Sequence, residues 1–242
     1  MKIYGATDIG TVRLTNQDAF KNTVLDEETV LSVVCDGMGG ANAGNVASEM
    51  AVNIITDYVK NAYNYQLNSL SIGNLLRSAI ETANFEIFSL SKTNDNYTGM
   101  GTTVVVALIK GSKAYICHVG DSRAYLYKNG VLEQITRDHS VVQDLIEGGH
   151  ITKEGAKVHP RKNVITRAVG TKEDIVADFT ETDLTDKILL ICTDGLINTL
   201  SDDIIADIIK ENPLITVPDR LIELANVNNS NDNITVICTS CN

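Results

Sequence analysis

The chain of 242 residues carries 20 basic against 31 acidic side chains, a formal charge of −11, and 43% of its residues are hydrophobic. That length and apolar content suit one sizeable core, read here as a single domain over residues 1–242. The negative balance argues against a nucleic-acid partner, since the only basic stretches, KGSK and HPRK, are too short to form a patch, and no run approaches the roughly 20 apolar residues of a membrane span. The opening MKIYGATDIG has no apolar signal region, so a cytoplasmic protein away from membranes is expected, with a monomer as the default.

Taken in order, residues 3–7 and 18–24 read as short strands around a polar loop that contains Arg13. A third β-rich run, LSVVC, drives into Asp36 and the glycines Gly37, Gly39 and Gly40, which let the backbone turn sharply and leave its carbonyls near the acid. Val46, Met50, Ile54, Ile55 and Tyr58 then recur at helical spacing, with Asn42 or Asn45 available as a cap. A second stripe, from Ile72 through Leu76, Ile80 and Ala83 to Leu90, predicts another helix before a polar loop over 92–99. From Thr102 the pattern becomes a β meander of four runs, TTVVVALI, AYICHV, RAYLY and VLEQIT, in which Asn129-Gly130 is a strong hairpin signal. Residues 141–146 suggest a short helix and 148–169 an irregular, charge-rich loop; a strand at 188–192, helices at 201–210 and 218–226 and a strand at 234–238 complete the chain. Central strands with helix pairs outside them predict an α+β fold, a layered sandwich in which helices cover two largely antiparallel sheets.

Four aspartates border four of the apolar runs: Asp36, Asp121, Asp194 and Asp232. One such residue is ordinary turn chemistry. Four of them, if the strands are neighbours, gather carboxylates that repel one another unless cations neutralise them, and Mg²⁺ or Mn²⁺ are the hard ions that prefer such oxygens. A cluster of bridged divalent ions lowers the pKa of a water held between them and offsets charge on a phosphoryl group, so the pattern favours phosphoester hydrolysis. Arg13, by itself a solvated loop residue, then gains meaning as a guanidinium fork for phosphate oxygens. The five cysteines read as reduced; four lie in apolar runs, and the Cys238-x-x-Cys241 pair lacks the second pair that a zinc site needs.

The blocks GTVRLTNQDAF (10–20), VCDGMGG (34–40), GTT (101–103), VGDSRAY (119–125), DHS (138–140), NVITRAVG (163–170), CTDGL (192–196) and NDNITVI (231–237) resemble, in order, those of the bacterial type-2C, metal-dependent Ser/Thr protein phosphatases. The resemblance implies a four-layer αββα sandwich with metals in a cleft at the edge of the two sheets. It implies that Asp36 bridges two ions, with the Gly37 carbonyl completing one and Asp194 and Asp232 the other, and that Asp121 and Asp194 hold a third, weaker ion. Asp18 resembles the acid that holds metal-bound waters, Arg13 the phosphate-binding Arg, and residues of about 140–168 the flap that influences substrate choice. Phosphorylated proteins, including a Ser/Thr protein kinase and its substrates, are the implied partners.

One position departs from the pattern. Many bacterial relatives carry a His after DGMGG, proposed as the acid that protonates the leaving alkoxide, where this chain has Ala41. That substitution keeps open a rival reading, a non-catalytic relative that binds metal or phosphoprotein as a regulator. A dinucleotide-binding turn is a poorer rival, since the third glycine of G-x-G-x-x-G would fall on Asn42.

Overall fold

The computed structural model describes residues 1–39 and 43–241. Strands β1 (Lys2–Asp8), β2 (Asp18–Asp26) and β3 (Thr29–Met38) precede two long helices, α1 (Ala43–Ala62) and α2 (Ser69–Thr93). The two-residue β4 (Gly101–Thr102) leads to β5 (Val104–Lys110), β6 (Lys113–Val119), β7 (Arg123–Lys128) and β8 (Val131–Gln134). Short helices α3 (Val141–Glu147) and α4 (Lys153–Lys157) come before β9 (Asp178–Asp183) and β10 (Ile188–Cys192), and α5 (Asp194–Ile197), α6 (Asp202–Glu211), α7 (Val217–Val227) and β11 (Ile234–Ser240) follow.

The strands form two antiparallel sheets. One has the order β1-β11-β10-β7-β8; the other runs β2-β3-β5-β6-β9, with β4 paired to β3. Side chains on a strand alternate between faces, and the alternation assigns the layers. Val34, Val105, Ala107 and Ile116 meet Ala124, Leu189, Ile191 and Ile237 between the sheets. Leu31, Val33, Cys35, Val106 and Cys117 face the opposite way, onto α1 and α2. Tyr125, Leu190, Cys192, Val236 and Cys238 lie under α6 and α7. The result is the expected αββα sandwich. Strands β3 and β5 are mostly apolar and are buried from Thr29 to Cys35 and from Val104 to Ile109, because both of their faces are covered.

Several local expectations need correction. Strands β5 to β8 are not one meander: β5 and β6 belong to one sheet, β7 and β8 to the other, and the chain crosses between them at Gly120–Ser122. Gly120 has φ of +105°, a backbone turn that the apolar alternation of the flanking strands does not signal. The Asn129-Gly130 hairpin is as expected, with both residues at positive φ, 52° and 83°. Strand β9, DFTETD, escaped the reading because it is a polar edge strand with one half-buried face. Helices α4 and α5 are too short for periodicity to reveal. For α1, Asn45 lies inside the helix rather than at its cap, and Asn42 lies outside the described residues. Cys238 faces the α6–α7 core and Cys241 the inter-sheet core, so the C-x-x-C pair points to opposite sides of its sheet and stays reduced.

This topology brings the aspartates to one end of the sandwich. Asp18 and Asp36 are direct partners across β2 and β3. Asp194 follows the end of β10, and Asp232 precedes β11, its antiparallel neighbour, with Cys192 opposite Val236. Asp121 lies in the crossover just before Arg123, which is opposite Cys192.

Candidate active site

The two sheets are joined at Asp18. Its Oδ2 accepts hydrogen bonds from Thr193 Oγ1 at 2.8 Å and from Thr235 Oγ1 at 2.7 Å, both belonging to the other sheet's end. Because the Thr235 hydroxyl donates to Asp18, Thr7 Oγ1 donates to Thr235 at 2.8 Å, and Thr7 in turn accepts from Asn16 Nδ2 at 2.9 Å. The other carboxylate oxygen, Oδ1, is buried and has no partner. Asp36 is fixed through its backbone: its N–H donates to Thr103 Oγ1 at 3.0 Å, and its carbonyl accepts from Thr103 N–H and Thr102 Oγ1, each at 2.9 Å. Thr103 is bonded onward to Ser122 Oγ at 2.7 Å, so the Asp36 strand and the Asp121 turn share one hydroxyl. At Gly37 a Cβ would lie 2.1 Å from the Gly44 carbonyl oxygen and 2.6 Å from that of Gln17, which leaves no space for any side chain.

Arg13 projects from the loop between β1 and β2. That loop is held by Asn233, which accepts from Gln17 N–H at 2.8 Å and donates to the carbonyls of Ile9 and Thr15 at 2.9 and 3.1 Å. The Arg13 side chain, 50% exposed, reaches Asp232 Oδ2 through Nη2 at 2.7 Å. Asp232 is thus paired with a cation in this arrangement, and Asp232 in turn raises the Arg13 pKa.

The remaining acids lack such a partner. Burial, then the charges of Asp18, Asp194, Asp121 and Asp232, push the Asp36 pKa well above the usual carboxylate range. Asp18 rises to about 7, chiefly through burial, against the pull of its two threonine hydrogen bonds. Asp121 also reaches about 7, through burial and then the charges of Asp194 and Asp138. Asp194 is pushed up to about 6 by burial and Asp232, while hydrogen bonds with Asp36 and Asn198 oppose the rise. Its Oδ2 accepts from Asn198 Nδ2 at 2.9 Å and its Oδ1 is buried without a partner.

Every sequence-predicted acid therefore lies within one electrostatic neighbourhood, centred on Asp36. Among the described residues, the one trio of His, Cys, Asp or Glu side chains whose ligand atoms all lie within 4.8 Å is a different one, His118, His139 and Asp178. Buried carboxylates suit Mg²⁺ and Mn²⁺, hard ions that accept one or two of them and fill the remaining shell with carbonyl and water oxygens. Orphaned buried oxygens on Asp18 and Asp194 and the all-oxygen donor set fit such ions. Sequence reasoning missed the supports: Thr103, Ser122, Thr193, Thr235 and Asn233 are buried polar residues, each one to three positions from an aspartate or at a strand end, in otherwise apolar surroundings. Buried hydroxyls require hydrogen-bond partners, and that was the available signal.

A carboxyl whose pKa rises on folding binds protons that the unfolded chain has released, so stability falls as pH rises towards the folded value. His118 and His139, lowered by burial, give the opposite slope only below their ordinary value of 6.5. The aspartate fall begins above the ordinary value of 3.8 and levels off once the values near 7 for Asp18 and Asp121 are passed, so its upper end, about pH 6.5 to 8, is the part free of the histidine slope. In EDTA the thermal midpoint is expected to fall by on the order of 3 °C across it. Mn²⁺ should raise the midpoint more at pH 8 than at pH 6.5; calorimetry showing a rise with pH in EDTA would contradict the electrostatic account.

The model of the family described as protein phosphatase 2C matches residues 11–221 of this chain. The serine/threonine phosphatase stp of Listeria monocytogenes is 40% identical over 236 residues, which cover 96% of this chain and 92% of that protein. Protein phosphatase PhpP of Streptococcus pneumoniae is 37% identical, covering 100% of this chain and 98% of PhpP. Among solved structures, the serine/threonine phosphatase Stp1 of Staphylococcus aureus superposes with a TM-score of 0.93 at 36% identity, covering 99% of this chain and 94% of Stp1. The Mycobacterium tuberculosis serine/threonine phosphatase PstP/Ppp gives 0.88 at 31% identity, covering 98% and 97%. No helix among the described residues is long and apolar enough to cross a membrane. With a family match across most of its length and relatives of this similarity over nearly all of it, the chain belongs to the protein phosphatase 2C family of metal-dependent hydrolases.

Proposed function

We propose that this chain hydrolyses phosphoserine and phosphothreonine in cytoplasmic proteins, the products of a Ser/Thr protein kinase. The observation that carries the reading is the set of buried, mutually repelling aspartates beside a half-exposed guanidinium. Asp36, Asp194 and Asp232, with the Gly37 carbonyl, would hold two Mn²⁺ or Mg²⁺ ions, and Asp121 with Asp194 a third, weaker one. The family resemblance gives the bridging role to Asp36, and the charges of the other four acids, all felt at Asp36, support it. When bound, the ions supply hydroxide near neutral pH and offset the charge of the phosphoryl oxygens.

The chain's own residues do the rest. Arg13 meets Asp232 through Nη2, which leaves the remainder of its planar fork to accept a phosphoryl group. Asp18, with Oδ2 held by two hydroxyls, offers Oδ1 as a fixed acceptor for a water hydrogen in the cleft. Residues of about 140–168 would act as the flap. Its two legs are tied at their base by the Ser140–Ile165 bridge and by Val141 N–H to the Val164 carbonyl at 2.8 Å. Ala41, where many relatives carry a His, lies outside the described residues. The proton for the leaving alkoxide must then come from another group.

Hydrolysis of p-nitrophenyl phosphate with Mn²⁺ tests the activity directly, and no turnover at any metal concentration would leave the regulator reading in its place. Asp36→Asn is expected to reduce that turnover to background, because a neutral amide cannot bridge two cations; wild-type rates would refute the bridging role. Asp121→Asn should slow the reaction yet retain two ions, and loss of all bound Mn²⁺ by mass-spectrometric metal analysis would refute the third-ion assignment. Ala41→His should raise phosphopeptide turnover by up to on the order of a hundredfold, with little gain on aryl esters whose leaving groups need no proton. Equal gains on both substrates would show that alkoxide protonation does not limit the rate.

A further inference from the structure

The base of the flap carries a second polar cluster that the proposed chemistry does not use. His118 on β6 and His139 in the loop before α3 are both buried, with rings stacked at a centroid distance of 4.8 Å and an interplanar angle of 15°. Their ring nitrogens and the Asp178 carboxylate form the trio of potential ligand atoms within 4.8 Å of one another. Hydrogen bonding opposes a metal there. Gly120 N–H donates to His139 Nδ1 at 3.1 Å, so in a neutral imidazole the proton lies on Nε2, where no lone pair remains for an ion. Burial first, then the neighbouring His118, lowers the His139 pKa to about 4, which keeps the ring neutral. Nε2 lies 3.3 Å from Asp178 Oδ2 and 3.2 Å from Arg167 Nη1, but Nη1 donates to Asp178 Oδ1 at 2.8 Å, so the carboxylate is the acceptor that Nε2–H faces.

The bonds made by His139 join two parts of the molecule that differ in role. On one side are the Gly120 amide and, through the His139 backbone N–H at 2.9 Å, the Gly120 carbonyl; on the other, Thr166 N–H donates to the His139 carbonyl at 2.7 Å on the returning leg of the flap. Gly120 is the crossover residue directly before Asp121, with φ of +105° and a would-be Cβ only 2.6 Å from the Thr103 side chain. A turn of that kind has no strand ladder to hold it, so its position depends on these three-sided contacts. We propose that His139 is a positioning residue for Asp121: its imidazole, held as the Nε2–H tautomer by Asp178, fixes the Gly120–Asp121 turn and anchors it to the root of the flap. Such outer partners orient a ligand without touching the ion, in the way that hydrogen bonds behind a ligating side chain do.

The inference rests on the reading of Asp121 as a ligand of the weakest ion, so its test must separate the two. Isothermal titration of the full-length, EDTA-stripped protein with Mn²⁺ alone is compared for wild type, Asp121→Asn, His139→Leu, His139→Asn and Asp178→Ala. Asp121→Asn should remove the weakest binding event; if it does not, the ligand reading fails and not the positioning role. With that event identified, His139→Leu should weaken it by about tenfold or more and leave the tighter events unchanged. His139→Asn, whose amide oxygen can still accept from Gly120 N–H, should recover most of the affinity. Asp178→Ala, at the half-exposed edge strand, frees the tautomer and should weaken the same event by a few-fold, with His139 ¹⁵N shifts moving from the Nε2–H pattern. A folded His139→Leu protein with lower thermal stability and a wild-type isotherm would reduce His139 to a structural residue. If that variant does not fold, an unchanged weak event in Asp178→Ala overturns the proposal.

Discussion

The Asp18 carboxylate, lodged between two threonine hydroxyls of the opposite sheet, is the contact on which the geometry of this protein turns. Apolar packing between the sheets is strong but non-directional, and by itself it tolerates sliding. Directional bonds at one edge remove that freedom. Asp18 binds Thr193 and Thr235, Asn233 binds the Arg13 loop, and Thr103 binds both Asp36 and Ser122. Each of these contacts fixes an aspartate or its immediate neighbour. The register of the sandwich and the placement of the acids are therefore set by the same few buried polar groups.

That arrangement has an electrostatic cost. Carboxylates placed together out of water disfavour their own ionisation, which the upward shifts of Asp36, Asp18, Asp121 and Asp194 record. A divalent cation that binds only the folded form relieves the repulsion and stabilises that form by mass action. Local strain at the sheet edge and affinity for hard cations are thus two views of the same charge distribution. The apolar core meets the cost elsewhere: β3 and β5 are buried on both faces, and the layer between the sheets is built mainly of aliphatic side chains.

Much of this was legible in the residues because the relevant signals were long or repeated. The apolar alternation and the two helical stripes gave the layers, and the recurrence of Asp at the ends of four apolar runs marked the acid edge. What escaped had short or non-periodic signals. The crossing from β6 to β7 depends on a single glycine at positive φ, and the two flanking runs alternate as if they shared a sheet. Strand β9 is polar because it forms an edge, and so it resembled a loop. The threonines that carry Asp18 looked like strand residues with high β-propensity, and only their burial beside an acid reveals the other role.

The crossover also explains why the acids should not be equivalent. Asp36 lies within a strand whose backbone is paired on both sides, to β2 by Asp18 and to the β4–β5 segment by Thr102 and Thr103. Asp121 has no such ladder. Its turn leaves one sheet for the other, and the guanidinium of Arg123 two residues on lowers its pKa against the neighbouring acids. Arg123 cannot swing away, because Nε and Nη2 grip Asp138 at 2.7 to 3.1 Å while Nη1 donates to the Tyr125 hydroxyl at 2.8 Å. The turn that carries Asp121 is thus held less rigidly than the strand that carries Asp36, and its contact with His139 matters most at that position.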